Sequence, residues 1–379
     1  MKLRIPGSSN RYVLLLIAGL ALVALSWGCS KKSTTMAPDL GPSDVATAQL
    51  IRPDRPDVVQ AMRMQESVTP ALMRTPGVVG TGVGADEQGN VVVKVFTETE
   101  LPANALPAQA GGFRLEQVVT GKIIAYKGHG GGGTSHTALQ TPPIQLGTSG
   151  GSVTDLANGF CCSGTLGSLV TKGGTQYILS NSHVFAGDVV SGGNGKVAAI
   201  GDDVTQPGYV DNNCSTSNTN HVADVSSLST LYPPGSTPNV DCAIAQVVSG
   251  MVRTDGAILE VGTISASTVG ASVGQAVKKS GRTTGLSRST ISALNATVSV
   301  GYDTECGGST FTKTFTGQIM VNNRRSAFLN SGDSGSLMVE DVTTNPRAVG
   351  LLFAGSSSIA VANPIGDVLS HLGVTMVGN

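Results

Sequence analysis

Hydrophobic patterning divides the chain into zones. An apolar run from Tyr12 to Trp27 follows Lys2, Arg4 and Arg11. A basic flank, a short greasy core and small residues before a boundary mark an export signal over residues 1–28, and about 16 apolar positions fall short of the roughly 20 a spanning helix needs. Residues 29–50 carry no apolar period and read as a tether rich in Lys, Ser, Thr and Pro. From Pro56, Val58, Val59, Met62 and Met73 fit a helical stripe that Pro70 interrupts and Pro76-Gly77 ends. Two Val-rich strands, residues 78–84 and 91–96, then flank the turn residues Asp86 to Asn90, and apolar stretches at 113–119 and 123–126 complete a small sheet. Residues 51–127 therefore predict a compact α+β domain with no converging polar groups, in a structural, docking or pro-region role.

A Gly-rich linker, 128–141, separates this unit from the rest. Its His129 and His136 beside a glycine run read as solvated linker residues, because flexible glycine builds a poor metal site. From 142 to 379 the pattern is short apolar runs broken by Gly, Asn, Pro and Asp: 165–170, 177–180, 240–248, 257–264, 291–300, 317–321, 336–339 and 348–353. Such spacing predicts an all-β barrel or sandwich. Only 364–372, with Ile365, Val368, Leu369 and Leu372 at helical spacing, reads as a closing helix.

Composition narrows the function. Charged residues are 13%, the hydrophobic fraction is 40%, and there are 50 glycines, the balance of a strand-and-turn protein. A net charge of -1 and the absence of a basic run beyond residue 32 give no footprint for nucleic acid. The six cysteines leave five beyond Cys29, enough for one or two disulfides whose pairing stays open. Neither cysteines nor the five histidines show metal-ligand spacing. No metal and no cofactor is expected.

One heptad carries chemistry: Asn330-Ser331-Gly332-Asp333-Ser334-Gly335-Ser336. A serine between glycines lets the backbone aim a hydroxyl and two amide N–H groups at one point. A general base must be fixed by a buried strand yet reach a cleft. His183, which follows the strand-like 177–180 in Asn181-Ser182-His183, meets that need better than His221 in its polar loop or His371 on the terminal helix. For the orienting carboxylate, Asp241 enters an apolar run and is costly there unless paired, which favours it over Asp224.

Taken in order, Asn181-Ser182-His183, Val240-Asp241-Cys242-Ala243-Ile244-Ala245 and Gly332-Asp333-Ser334-Gly335-Ser336 resemble the chymotrypsin/trypsin-like serine peptidases, whose His, Asp, Ser order they share. The resemblance covers roughly 160–375. Lys279-Ser280-Gly281-Arg282-Thr283-Thr284-Gly285 is similar to the matching segment of bacterial members, and plant narrow-leaf-type peptidases look similar too. It implies a mainly β protein: a double six-stranded β-barrel of the chymotrypsin type over 142–379 with a C-terminal helix, preceded by the small α+β domain. It implies a catalytic triad of His183, Asp241 and Ser334, an oxyanion hole of the Gly332 and Ser334 N–H groups, and an ion pair between Arg282 and Asp333 that supports the loop. Phe353, Ala354 and Gly355 would form the strand that pairs with a peptide substrate. Phe328 stands where trypsin-like specificity needs an acidic residue, which implies an apolar pocket and argues against cleavage after Arg or Lys. Val184 follows the histidine where animal members have a cysteine. Gly28-Cys29 resembles the lipobox of bacterial lipoproteins, with Ser26 and Trp27 departing from its pattern, and implies lipidation at Cys29.

The expected function is an exported serine endopeptidase, a cell-envelope lipoprotein or otherwise secreted or periplasmic, acting on a peptide or protein and touching membrane through a lipid anchor at most. An α/β-hydrolase would need Gly at 336 and a helix after it. The competing reading is a catalytically latent or inactive peptidase-like module that binds a peptide or cell-surface partner.

Overall fold

The computed structural model describes residues 50–125, 134–235 and 239–379. The export signal, Cys29 and the tether up to residue 49 lie outside them. Among the described residues no helix is long and apolar enough to cross a membrane. Before the Gly-rich stretch run α1 (Pro56–Leu72), β1 (Val78–Ala85), β2 (Val91–Thr97), β3 (Gln109–Ala110), β4 (Phe113–Val119) and β5 (Ile124–Ala125). After it come α2 (Thr134–Thr137), β6 (Thr148–Ser152), β7 (Leu156–Ala157), β8 (Phe160–Cys161), β9 (Gly164–Leu166), β10 (Ser168–Lys172) and β11 (Thr175–Ser180). Next are α3 (Ser182–Phe185), β12 (Asp203–Gln206), β13 (Asn220–Leu228), β14 (Ala243–Val247), β15 (Ala276–Lys279), β16 (Ser287–Asp303) and β17 (Thr310–Asn322). The chain closes with β18 (Leu337–Glu340), β19 (Ala348–Gly355), β20 (Ile359–Pro364), α4 (Ile365–Leu372) and β21 (Thr375–Met376).

The protein is mainly β and forms a double six-stranded barrel. In the first barrel β9 and β10 act as one strand bent at Gly167: β9 pairs with β6 and β10 with β11. The circuit continues antiparallel through β11, β14, β13, β12 and back to β6. Its interior is filled by Leu166, Ile178, Val204, Val222 and Ala245, and burying side chains of this size stabilises by about 1.5–3 kcal/mol each. In the second barrel β15, β18, β19, β20, β17 and β16 follow in order, and β16 pairs back onto β15. Ile291, Val321, Leu352, Val298 and Phe315 lie in its core. The closing helix is α4, which buries Ile365, Val368 and Leu372 and ends at Gly373 with φ +65°, a conformation that glycine adopts without strain.

The strands of the 51–127 segment extend the second barrel's sheet, since β1 pairs with β16 and the order runs on through β2, β4 and β3. The described residues fall in one compact unit. The predicted hairpin is present: Asp86 Oδ1 accepts the N–H groups of Gln88 and Asn90 across the turn. Three sequence expectations change. Pro70 does not interrupt α1, because it falls in the last turn and the helix closes at Leu72. The apolar run 257–264 is no strand; it buries Ile258, Val261 and Ile264 from turns, with Glu260 and Gly262 at positive φ. And β5 leaves the small sheet to lie between β16, to which it is parallel, and β19, to which it is antiparallel.

Two disulfides are formed, Cys161–Cys214 and Cys162–Cys306. The second ties the connection between β16 and β17 to the first barrel. Cys242 is free and buried.

Candidate active site

Strand β11 delivers Asn181, and the single turn α3 then places His183 while Val184 and Phe185 sink into the first barrel's core. Asp241 stands just before β14, which pairs with β11, so the two side chains meet across neighbouring strands. His183 Nδ1 lies 2.5 Å from Asp241 Oδ2, and the His183 backbone N–H donates to Asp241 Oδ1 at 3.3 Å. A carboxylate only accepts, so Nδ1 carries the proton and Nε2 is left as an acceptor. The Asp241 backbone is itself held: Asn363 Oδ1 accepts its N–H, and its carbonyl accepts from Asn181 Nδ2 at 2.7 Å and Asn363 Nδ2 at 3.1 Å. Asn181 stood in the quoted histidine motif without a role, and Asn363 went unnoticed in the sequence, since a lone Asn carries no motif.

Tyr302, at the end of β16, was also missed. Its hydroxyl donates to Asp241 Oδ2 at 3.1 Å, and its ring meets the His183 imidazole edge-on at 5.7 Å. Burial first, and then the Asp241 charge, push the phenol well above its usual range, so it stays a donor. Cys242, next to the carboxylate, has its thiol pushed up mainly by burial, which keeps it from thiolate chemistry.

Ser334 lies on the loop before β18. A strand follows the motif, unlike the helix of an α/β-hydrolase elbow. The loop is clamped to the first barrel where β9 and β10 bend. Thr165 N donates to Ser334 O and Thr165 Oγ1 to Gly332 O, both at 2.9 Å. A Cβ on Gly167 would meet Gly335 O at 2.1 Å, so only glycine allows this approach. The site of Gly164 has Val184, the neighbour of His183, on one side and Ser334 O on the other: a Cβ there would stand 2.5 and 3.0 Å from them. Gly332 takes φ +96°. The N–H groups of Gly332 and Ser334 have no hydrogen-bond partner among the described residues, whereas those of Asp333, Gly335 and Ser336 are all used.

The site is closed. Ser334 and Asp241 are 0% exposed and His183 is 3% exposed. Ser334 Oγ donates to Phe353 O at 3.1 Å, and His183 Nε2 has no partner among the described residues. The aromatic rings of Tyr302, Phe315 and Phe353 run in contact from His183 to β19, whose Phe353 carbonyl accepts from Ser334 Oγ.

The expected support pair is corrected. Arg282 does not reach Asp333; its guanidinium forks onto Asp211, with Nε and Nη2 each 2.6 Å from a carboxylate oxygen, the bidentate match that arginine favours. Asp333 instead takes Lys279 at 3.1 Å, both side chains fully buried, with the N–H groups of Thr283 and Thr284 and the Thr284 hydroxyl. Burial lowers the Lys279 pKa and Asp333 works against that. The sequence placed both cations in one segment and could not say which of them faced the loop. Phe328 is 2% exposed, its ring in the second barrel's core cluster and its carbonyl accepting from the Ser287 hydroxyl. His136 is no solvated linker residue: it is buried, with Nε2 3.1 Å from both Ser280 Oγ and Glu260 Oε2. Burial lowers its pKa, with Glu260 opposing. His129 lies outside the described residues.

A protein-family model described as the Nal1 C-terminal domain matches residues 238–362. No curated protein matches the chain. Among solved structures, the chain is similar at 20% identity to a glutamic-acid-specific serine protease, covering 62% of this chain and 100% of that one with a TM-score of 0.38. It is similar to protease A of Thermobifida fusca at 20% identity, with 62% and 99% covered and a TM-score of 0.40. The chymotrypsin of Cellulomonas bogoriensis matches at 20% identity, 62% and 99% coverage and a TM-score of 0.37.

Proposed function

We propose that the protein is an exported serine endopeptidase. The observation that carries this reading is the buried His183–Asp241 pair at 2.5 Å, joined across Gly164 to a serine loop in which the backbone N–H groups of Gly332 and of Ser334 itself are unused. In the reaction Ser334 Oγ turns from Phe353 O to His183 Nε2, gives up its proton there and attacks a peptide carbonyl. Asp241 keeps the imidazole in the tautomer that can accept that proton and stabilises the imidazolium. The N–H groups of Gly332 and Ser334 hold the developing oxyanion, each such donor being worth about 2.7–4 kcal/mol in systems of this kind. His183 returns the proton to the leaving amine, and water then hydrolyses the acyl-enzyme by the reverse sequence.

Two disulfides suit an oxidising compartment and accord with export, with Cys29 as the lipid attachment point of a cell-envelope protein. Phe328 in place of an acid speaks for cleavage that does not select Arg or Lys. The closed site, in which the Ser334 hydroxyl is hydrogen-bonded to Phe353 O and His183 Nε2 has no partner among the described residues, also favours a second reading, a latent or inactive module that uses the same cleft to bind a peptide. Incubating a peptide library with the wild-type chain and with Ser334→Ala, and reading new termini by mass spectrometry, separates the two. Ser334-dependent cleavage is the expected result; identical mixtures from both proteins would leave only binding.

A further inference from the structure

Strand β19 has one edge that matters for a peptide. The upstream part of that edge is used by β18, where Leu337 is paired with Leu351. Leu352 then exchanges backbone hydrogen bonds with the nucleophile loop, its carbonyl accepting from Gly335 N and its N–H donating to Ser336 O. The Phe353 carbonyl accepts from Ser334 Oγ. At the next two residues the edge is taken by β5, Ala354 opposite Ala125 and Gly355 opposite Ile124, antiparallel. On its far side β5 is fixed to the second barrel, because Gly301 N donates to Ile123 O at 3.0 Å and Gly301 pairs with Ile124. Ile123 is buried in the same cluster as Tyr302, Phe353 and Ala354, whereas the Ile124 side chain is 43% exposed.

A strand edge offers one row of N–H and C=O groups and pairs with one chain at a time. We infer that Ile123–Ala125 is a substrate-mimicking strand, resident on the edge of β19 that an incoming peptide must occupy, and that the closed site described above is its consequence. The inference rests on the peptidase reading and deepens it. Antiparallel to β19, β5 runs toward Phe353 and Ser334, the direction in which a bound peptide carries its next carbonyl to the nucleophile. The occupant also describes the ligand: an extended peptide with a branched aliphatic residue opposite Gly355 and a small one opposite Ala354, held mainly through its backbone. Turnover then requires displacing β5, and the anchoring of Ile123 sets how readily it leaves.

The test follows the rate at which a small fluorophosphonate modifies Ser334. Ile124→Pro removes the N–H at the centre of the pairing and disfavours the strand, while Ile124→Val keeps it. Labelling at least tenfold faster in Ile124→Pro than in wild type, with Ile124→Val unchanged, is expected; folded Ile124→Pro protein labelled at the wild-type rate overturns the inference and leaves the peptidase reading standing. A second measurement uses the unaltered chain. Hydrogen exchange at the Ile124 and Ala125 amides is slow in the free protein and becomes at least tenfold faster once a tripeptidyl phosphonate has reacted with Ser334. Unchanged protection in the modified protein shows that peptide and β5 do not compete, and overturns it as well. Absence of Ser334 labelling in every form sinks the peptidase reading and the inference with it.

Discussion

His183, Asp241 and Ser334 were legible because each breaks a local rule: a histidine after a buried strand, a carboxylate entering an apolar one, a serine framed by glycines. Tyr302 was not, because its role depends on a contact 61 positions away in sequence and a tyrosine near the end of a strand looks like core. Its hydroxyl donates to Asp241, the carboxylate paired with His183, and a hydrogen bond to a charged group contributes about 1.5–3 kcal/mol. Tyr302→Phe keeps the ring against His183 and deletes only that donor. In the form that turns over, kcat should fall about tenfold or more with KM little changed, as steady-state kinetics on a peptide would read; an unaltered kcat would mean that Asp241 is held by its backbone contacts alone.

At the scale of elements, α4 and barrel strands such as β11, β14, β16 and β19 followed from their hydrophobic runs, while β6, β12, β13, β15, β20 and α2 did not. The apolar stretch at 123–126 marked β5, but its partners come from the distant strands β16 and β19, so no local period reports where it lies. The segment 279–285, which begins on the last residue of β15, shows the same limit, since its Lys279 and Arg282 divide between Asp333 and Asp211 in a way only packing decides. Removing one partner of a buried ion pair leaves an uncompensated charge and costs about 3–5 kcal/mol. Lys279→Ala should lose that much in chemical denaturation, and the double variant Lys279→Met/Asp333→Asn should recover part of it. His136, following the glycine run, gives a pH signature. Its folded pKa is lowered, mainly by burial, and half-exposed Glu260 offsets only part of that. The unfolded chain therefore takes up this proton first, near pH ~6.5. The stability from a neutral His136 is complete above that value and is lost as pH falls through the folded pKa. Denaturation midpoints measured downward from about pH 7 should drop more steeply for wild type than for His136→Gln, and parallel curves would show that His136 is not held neutral.

For the molecule as a whole, the spacing of turns gave an all-β barrel or sandwich and the resemblance carried by the order of motifs implied the double barrel, but the merging of β1–β4 into the second barrel's sheet could not be expected. Glycines at 80, 82 and 84 make that stretch read as a hairpin strand, with nothing to show that its free side is covered by β16. Holding the two barrels in one arrangement is what brings Tyr302 to Asp241, and the Cys162–Cys306 bridge fastens the end of the antiparallel β16–β17 hairpin. Replacing both cysteines by serine should lower stability by about 2–5 kcal/mol and reduce turnover further than Tyr302→Phe if the hairpin end loosens; calorimetry beside the same kinetic assay reads both. The central claim is that His183, Asp241 and Ser334 form a working nucleophilic site. Its most direct test is peptide mapping after prolonged exposure to a fluorophosphonate: the account predicts a covalent adduct on Ser334 that is lost in Ser334→Ala and strongly slowed in His183→Ala. An unmodified Ser334, or a Ser334 modified at the wild-type rate in His183→Ala, would contradict it.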